Sequence, residues 1–355
     1  MATERIIAPT AARPEEEQFN FALRPTSIDE YVGQAELLER LEIAVHASRG
    51  RSEPIEHILL HGPPGLGKTT LAHVIAHEMG TRLHTTSGPA LAKGSDLVAV
   101  LTSLGPGDVL FIDEIHRLPI AVEEFIYPAM EDFKIDVRVD SGLHARTVQI
   151  RCKPFTLIGA TTRAGLLSAP LRSRFGLTHH LRYYQPDELR VILERSCRLM
   201  GVQVHSPEAL EAVSARSRGT PRIANRLLRR VRDYAQVRSD GMLSVDSVRA
   251  ALDLEGVDHL GLDELDRTYL RTIARTYGGG PVGLETIAAT MNEDAGTLED
   301  VVEPYLLQIG FLARTRRGRA MTQPAADHLG EKLENPAVGG DPIQFGLFTR
   351  KSETA

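Results

Sequence analysis

The 355-residue chain holds only two cysteines, Cys152 and Cys197. That is too few for a disulfide framework or a cysteine-based metal site, so both read as core or surface thiols. No apolar run reaches membrane-spanning length, and the first eighteen residues are polar, with Glu15, Glu16 and Glu17 where a secretory leader would be apolar. A cytoplasmic protein with no membrane partner is expected. Positive charge is also scarce: 41 Lys and Arg against 47 Asp and Glu leave a formal net charge of -6. This excludes a uniformly basic nucleic-acid binder and leaves room for a local basic patch. The rest is ordinary globular composition, 42% hydrophobic and 25% charged, at a length that suits two or three domains.

Against that background residues 61–72, His-Gly-Pro-Pro-Gly-Leu-Gly-Lys-Thr-Thr-Leu-Ala, stand out. They follow Ile58, Leu59 and Leu60, which read as a buried strand, and they open a helical pattern from Lys68 to about Met79. Backbone N–H groups freed by Gly62, Gly65 and Gly67 can converge on a polyphosphate while the helix N-terminus adds its positive dipole. Lys68 then reaches the β- and γ-phosphates, and the Thr69 hydroxyl can hold Mg²⁺. Residues 108–116, Asp-Val-Leu-Phe-Ile-Asp-Glu-Ile-His, supply the second half of the chemistry. Val109 to Ile112 reads as a buried parallel strand whose carboxylates fall where such sheets place their ligands. Asp113 is expected to complete the metal shell and Glu114 to polarise the attacking water. ATP and Mg²⁺ are the expected cofactors.

Weaker signals surround these two. Ahead of the loop, Leu23, Arg24, Tyr31 and Val32 are candidates to cover the base, Thr26 and Ser27 are candidate helix caps, and Gly33 and Gln34 introduce an amphipathic helix predicted to about Ser48. His73 and His77 are four apart, but Val74 stands where a His-Glu-x-x-His zinc motif needs glutamate, which favours an outer helix face. Residues 134–151 alternate apolar and polar on both sides of Ser141 and Gly142, a hairpin that either lies against the sheet or meets a partner. Phe155 to Thr162 is another apolar strand; Thr162 at its tip can orient water, with Thr161 the neighbouring candidate. Arg172 and Arg174 flank Ser173, and an arginine held this way can act on a phosphate in a neighbouring subunit.

From Tyr183 the patterns turn helical, over 187–199, 207–216, 220–237 and 244–252. Pro221 suits a first helical turn and places Arg222 at a helix start, aimed at nucleotide, whereas Arg226, Arg229, Arg230 and Arg232 read as solvated faces. Beyond Asp258, helices are predicted over 264–277, 284–291 and 297–308, then two short strands about Arg317 and Gly318. Three helices and a two-stranded wing make a winged helix. The wing gathers Arg314, Arg316, Arg317 and Arg319 in six residues of an acidic chain, a segregation that suits sequence-independent contact with DNA phosphates.

The strings Gly-Pro-Pro-Gly-Leu-Gly-Lys-Thr-Thr, Leu-Phe-Ile-Asp-Glu-Ile-His-Arg, Tyr-Pro-Ala-Met-Glu-Asp-Phe, Ile-Gly-Ala-Thr-Thr-Arg-Ala-Gly, Ser-Arg-Phe-Gly and Gly-Thr-Pro-Arg-Ile-Ala-Asn-Arg resemble the RuvB family of bacterial Holliday-junction branch-migration motors, within the AAA+ ATPases. The resemblance runs from about Phe21 to Gly330. It implies an α/β AAA+ P-loop core with a parallel sheet at 19–184, an all-helical lid at 185–255 and a winged-helix head at 256–330. A disordered extension at 1–18 and a flexible tail at 331–355 are expected on either side. Leu23, Arg24 and Tyr184 would surround the base, with Gly65, Gly67, Lys68, Thr69 and Thr70 on phosphates and metal. Glu131, Asp132 and Phe133 would lie near the nucleotide, Thr162 would be the first sensor and Arg222 the second, and Arg174 the finger acting in trans. The 134–151 hairpin becomes the docking element for RuvA, and the implied assembly is a hexameric ring on duplex DNA and Holliday junctions, with RuvC resolvase as a further partner. Arg314 and Arg319 would contact DNA beside Arg316 and Arg317; Arg316 stands where the family is expected to carry proline, and so adds a charge. A clamp loader or initiator-type ATPase would share core and lid but switch assembly states, and a nucleotide-gated regulator would not need Glu114.

Overall fold

Five short apolar runs become one parallel sheet: β1 (Ile58–His61), β2 (Leu83–Ser87), β3 (Val109–Asp113), β6 (Thr156–Thr161) and β7 (Leu177–His180), in the order β2-β3-β6-β1-β7. The computed structural model describes residues 21–138 and 147–333, so the predicted disorder of 1–18, the hairpin turn at 139–146 and the tail from 334 lie outside the described residues. The described chain divides into two units, one ending at Tyr184 and the other starting at Gln185.

In the first unit the three central strands are buried along almost their whole length, because helices cover both faces of the sheet. The helices are α1 (Ala35–Arg51), α2 (Lys68–Met79), α3 (Gly94–Ser103), α4 (Ile120–Asp132) and the short α5 (Ala169–Arg172). Leu110, Ile112, Ile126 and Phe155 centre the packed core. The register pairs His61 with Thr161 and Ile112 with Gly159, so the carboxyl ends of β1, β3 and β6 finish together. Loops leaving those ends meet where parallel sheets build their sites.

His57 ties this layer together. Its Nδ1 accepts the Leu157 N–H at 2.9 Å and its Nε2 donates to the Met130 carbonyl at 3.0 Å, which fixes one neutral tautomer. Burial lowers its pKa, in keeping with that neutral form. The predicted hairpin is present as β4 (Lys134–Arg138) and β5 (Thr147–Arg151), paired antiparallel from Lys134 opposite Arg151. Ile135 at its base is fully buried in the core, whereas Val148 is exposed.

Thr26 and Ser27 cap no helix. The Thr26 N–H donates to the Glu30 carboxylate at 2.9 Å, and α1 begins only after Gln34, whose left-handed backbone (φ 55) and side chain do the turning. The Gln34 amide donates to the Arg182 carbonyl at 2.7 Å and accepts the Arg182 N–H at 3.2 Å, a partnership across 148 residues.

The second unit starts with α6 (Pro186–Met200), α7 (Pro207–Ala215), α8 (Pro221–Arg238) and α9 (Val245–Leu254). Arg226 was expected on a solvated face of α8 but is 9% exposed, since it lies on the stripe of Ile223, Leu227 and Val231. A winged helix follows: α10 (Glu264–Tyr277), α11 (Leu284–Met291), α12 (Ala295–Thr297), a π-helical turn at Leu298–Val302, α13 (Glu303–Gln308), β8 (Leu312–Thr315), β9 (Gly318–Met321) and α14 (Gln323–Leu329). The single helix predicted over 297–308 is thus interrupted by the π turn. Tyr269, Ile273, Ile287, Val302 and Met321 form the core of this head.

Arg218 latches helix bundle and head to each other. Held in a left-handed backbone (φ 54), it donates through Nε to the Gly261 carbonyl at 2.7 Å, pairs with the fully buried Asp266 carboxylate and stands 4.6 Å above the Tyr305 ring. None of the described helices is long and apolar enough to cross a membrane.

Candidate functional site

β1 delivers the chain into a loop that only glycine can follow. Gly62, Gly65 and Gly67 have φ of 138, 80 and 97°, a region that side-chain-bearing residues rarely enter. A Cβ on Gly67 would stand 2.8 Å from the Tyr31 hydroxyl, and one on Gly62 would stand 2.6 Å from the Leu181 carbonyl oxygen. α2 then starts at Lys68, and its first helical bond runs from the Leu71 N–H to the Gly67 carbonyl at 2.8 Å. The N–H groups of Lys68, Thr69 and Thr70 therefore have no carbonyl within their own helix, the condition that makes a helix start an anion site. Lys68 is 8% exposed and its ammonium donates to the Gly62 and Pro63 carbonyls, each at 2.8 Å. The charge is thus folded across the loop.

Above the loop, Tyr31 and Tyr184 meet. The Tyr184 hydroxyl lies 3.2 Å from the Tyr31 oxygen and 3.3 Å from the Leu66 carbonyl. Burial pushes the Tyr31 pKa up to about 12, so its phenol stays neutral. Leu23 is buried nearby in sequence, and the Arg24 guanidinium stands 5.3 Å over Phe21, which meets His73 edge-on at 5.3 Å.

At the tip of β3, Asp113 Oδ1 accepts the Glu114 N–H at 2.9 Å. Glu114 turns the chain with φ 47 into the 3₁₀ turn Ile115–Arg117, and its Oε2 accepts from Arg117 Nη1 at 2.9 Å. At the tip of β6, the buried Thr161 hydroxyl accepts the Arg163 N–H at 2.9 Å and lies 2.8 Å from His116 Nδ1. The imidazole that shares this bond is kept below its ordinary pKa by burial. Thr162, one residue on, is exposed. The hydroxyl that ties β6 to the Glu114 turn is therefore Thr161, and nothing in the string Asp-Glu-Ile-His announced that role for His116.

Hard oxygen donors suit Mg²⁺. Among the described residues no cluster of three His, Cys, Asp or Glu side chains is placed to hold a metal; Thr69 at the start of α2 and Asp113 at the tip of β3 carry oxygens of that kind.

A second surface gathers Arg174, Glu131 and Tyr127. Arg174 donates to the Pro170 carbonyl at 2.7 Å, pairs with Glu131 at 3.0 Å and lies 4.4 Å over the Tyr127 ring. Asp132 is exposed, and the Phe133 ring packs edge-on against Phe155 with centroids 5.9 Å apart. Arg222 is the second residue of α8, in the other unit, and half-buried.

In the wing, Arg316 and Arg317 occupy the exposed turn between β8 and β9. Arg314 and Arg319 stand opposite each other on the two strands and share the buried carboxylate of Glu303. Burial pushes the Glu303 pKa up, but hydrogen bonds from Arg319, Tyr269 and Arg314 outweigh it and hold it below the ordinary range. Glu299 and Glu303, one turn apart, were not singled out in the sequence; acidic residues preceding a basic wing are the available signal.

Three family models match in series: the Holliday junction DNA helicase RuvB P-loop domain at residues 23–181, the RuvB AAA lid domain at 184–258 and the RuvB C-terminal winged helix domain at 259–330. The chain is 53% identical over 348 residues to the Holliday junction branch migration complex subunit RuvB of Parafrankia sp. (strain EAN1pec), covering 98% of each. It is 57% identical over 310 residues to the same-named subunit of Desulfosudis oleivorans, covering 87% of this chain and 90% of that one. The solved Thermotoga maritima RuvB Holliday junction branch migration motor superposes with a TM-score of 0.79 at 51% identity, over 89% of this chain and 100% of that one. With loop, lid and winged helix matched in order along nearly its whole length, the chain belongs to the RuvB family.

Proposed function

We propose that this chain is an ATP-hydrolysing motor that drives branch migration of Holliday junctions in recombination and repair by pulling duplex DNA. The observation that carries this reading is the joining, in one chain of RuvB kinship, of a phosphate loop beside an acidic strand tip to a basic winged helix.

The triphosphate would lie along Gly65, Gly67, Lys68, Thr69 and Thr70, with Leu23, Arg24 and Tyr184 around the base. Lys68 exchanges two loop carbonyls for phosphate oxygens, so the loop pre-positions the ammonium. Bound Mg²⁺, held by Thr69 and Asp113, supplies charge neutralisation on the phosphates. Glu114 is assigned the general base, with Thr162 orienting the water. The pair of Glu114 with Arg117 engages Oε2 alone, and with both side chains about half exposed, opening that pair costs about 1 kcal/mol or less.

Arg174 and Glu131 share a surface, so what one presents to a neighbouring subunit the other presents too. This supports a finger acting in trans within a ring, which we take to be a hexamer. Arg222 would sense the nucleotide from the lid, and the Arg218 latch would carry that signal to the head. The 134–151 ribbon, anchored by Ile135, is assigned to RuvA, and RuvC is the expected resolvase partner. The place of work is the cytoplasm, and the domain boundaries are 19–184, 185–255 and 256–330.

The test is a labelled four-way junction incubated with RuvA and ATP. Wild-type protein separates it into duplexes, whereas Lys68→Ala and Glu114→Gln do not. Separation by the Lys68→Ala variant at the wild-type rate would remove the motor reading.

A further inference from the structure

One carboxylate in the head has no place in the scheme above. Glu303 opens α13 directly after the π-helical turn, and its side chain is 0% exposed. A carboxylate out of water needs several donors, and this one has them. Oε1 accepts from the Tyr269 hydroxyl at 2.6 Å and from Arg319 Nε at 2.9 Å, and Oε2 accepts from Arg314 Nε at 2.9 Å and Nη2 at 2.5 Å. Glu299, one helical turn back, lies 3.4 Å from Arg319 Nη2 and 3.6 Å from Arg314 Nη2.

Each of these contacts uses the same edge of each guanidinium, Nε and Nη2. Among the described contacts neither Nη1 is engaged. The two arginines are also direct cross-strand neighbours, where like charges repel unless something sits between them. Glu303 sits there. The arrangement fixes two long side chains against Glu303 before any ligand arrives, which removes an ordering cost that free arginines meet on binding.

We propose that Glu303 is a positioning residue for DNA: by gripping the Nε–Nη2 edges of Arg314 and Arg319 it sets their Nη1 groups as a paired donor for a backbone phosphate. The inference rests on the reading that the wing meets DNA. It differs from simple neutralisation in the sign of one result. Glu303→Gln removes a negative charge beside two arginines, so charge alone strengthens DNA binding and steepens its salt dependence. The amide, however, has one acceptor oxygen instead of two and releases one arginine.

Duplex affinity of the full chain is measured by anisotropy across a salt series, with thermal melting as the fold check. The proposal expects Glu303→Gln to bind about threefold to tenfold more weakly, the cost of re-ordering one long side chain. Equal or tighter binding by folded protein overturns it; a purely structural role would lower the melting temperature and leave the affinity of folded protein unchanged. If Glu303→Gln fails to fold, Glu299→Gln decides, since Glu299 is partly exposed and touches the same arginines: weaker binding supports the proposal and tighter binding overturns it. Arg316→Ala/Arg317→Ala is run alongside. A loss there with unchanged Glu303→Gln affinity rejects the positioning role alone, and no loss in it or in Arg314→Ala rejects the wing as the DNA contact.

Discussion

Gly67 shows how closely the nucleotide loop is constrained at single positions. Its φ of 97° and the Tyr31 hydroxyl at 2.8 Å from a built Cβ exclude any side chain without movement. Gly67→Ala is expected to cost about 1–3 kcal/mol of strain, read as a lower melting temperature and weaker ATP binding. Glu114→Gln keeps the size of the side chain but removes the base, so ATP binding persists while turnover falls by about 10²–10⁴, measured as phosphate release. Acid sensitivity follows from Glu303, whose native pKa is depressed. Because the unfolded chain takes up a proton there at higher pH than the folded one, its contribution is fully present above the ordinary glutamate range. That contribution is lost as pH falls through the native value. Melting of the head should therefore decline in acid, and Glu303→Gln should flatten that decline.

Among secondary elements, the Arg218 latch carries the clearest energetic claim. Arg218→Ala removes the guanidinium that pairs with the fully buried Asp266 and bonds the Gly261 carbonyl, a change expected to cost about 3–5 kcal/mol in the second unit by denaturant melting. Elements bounded by local signals were legible in the sequence: α2 runs from the glycine loop to Met79, α10 spans Glu264–Tyr277 between Asp263 and Gly278, and α11 spans Leu284–Met291 between Gly283 and Asn292. Elements set by distant partners were not. Gly33 and Gln34 marked the start of α1, but not the bond from Gln34 to Arg182 that braces it, and the π turn places Glu303 under two arginines that come 11 and 16 residues later. Period alone contains neither fact. The same limit applies around the loop: that Lys68 opens a helix and that Asp113 and Glu114 stand at a strand tip was legible from motif spacing, but the Thr161–His116 contact was not.

On the scale of the whole molecule, the proposed motor needs both a nucleotide site completed by a neighbouring subunit and a wing on the DNA backbone. If Arg174 acts in trans, Arg174→Ala subunits mixed with Lys68→Ala subunits recover ATPase activity that neither has alone, because some interfaces then pair an intact loop with an intact finger. Unrestored activity in mixed rings would place Arg174 in its own subunit's chemistry. The most direct test of the motor is branch migration itself, followed with a labelled four-way junction, RuvA and ATP. The account predicts separated duplexes from wild-type protein and none from Glu114→Gln. An intact junction beside vigorous, DNA-stimulated ATP hydrolysis by the wild-type chain would contradict it.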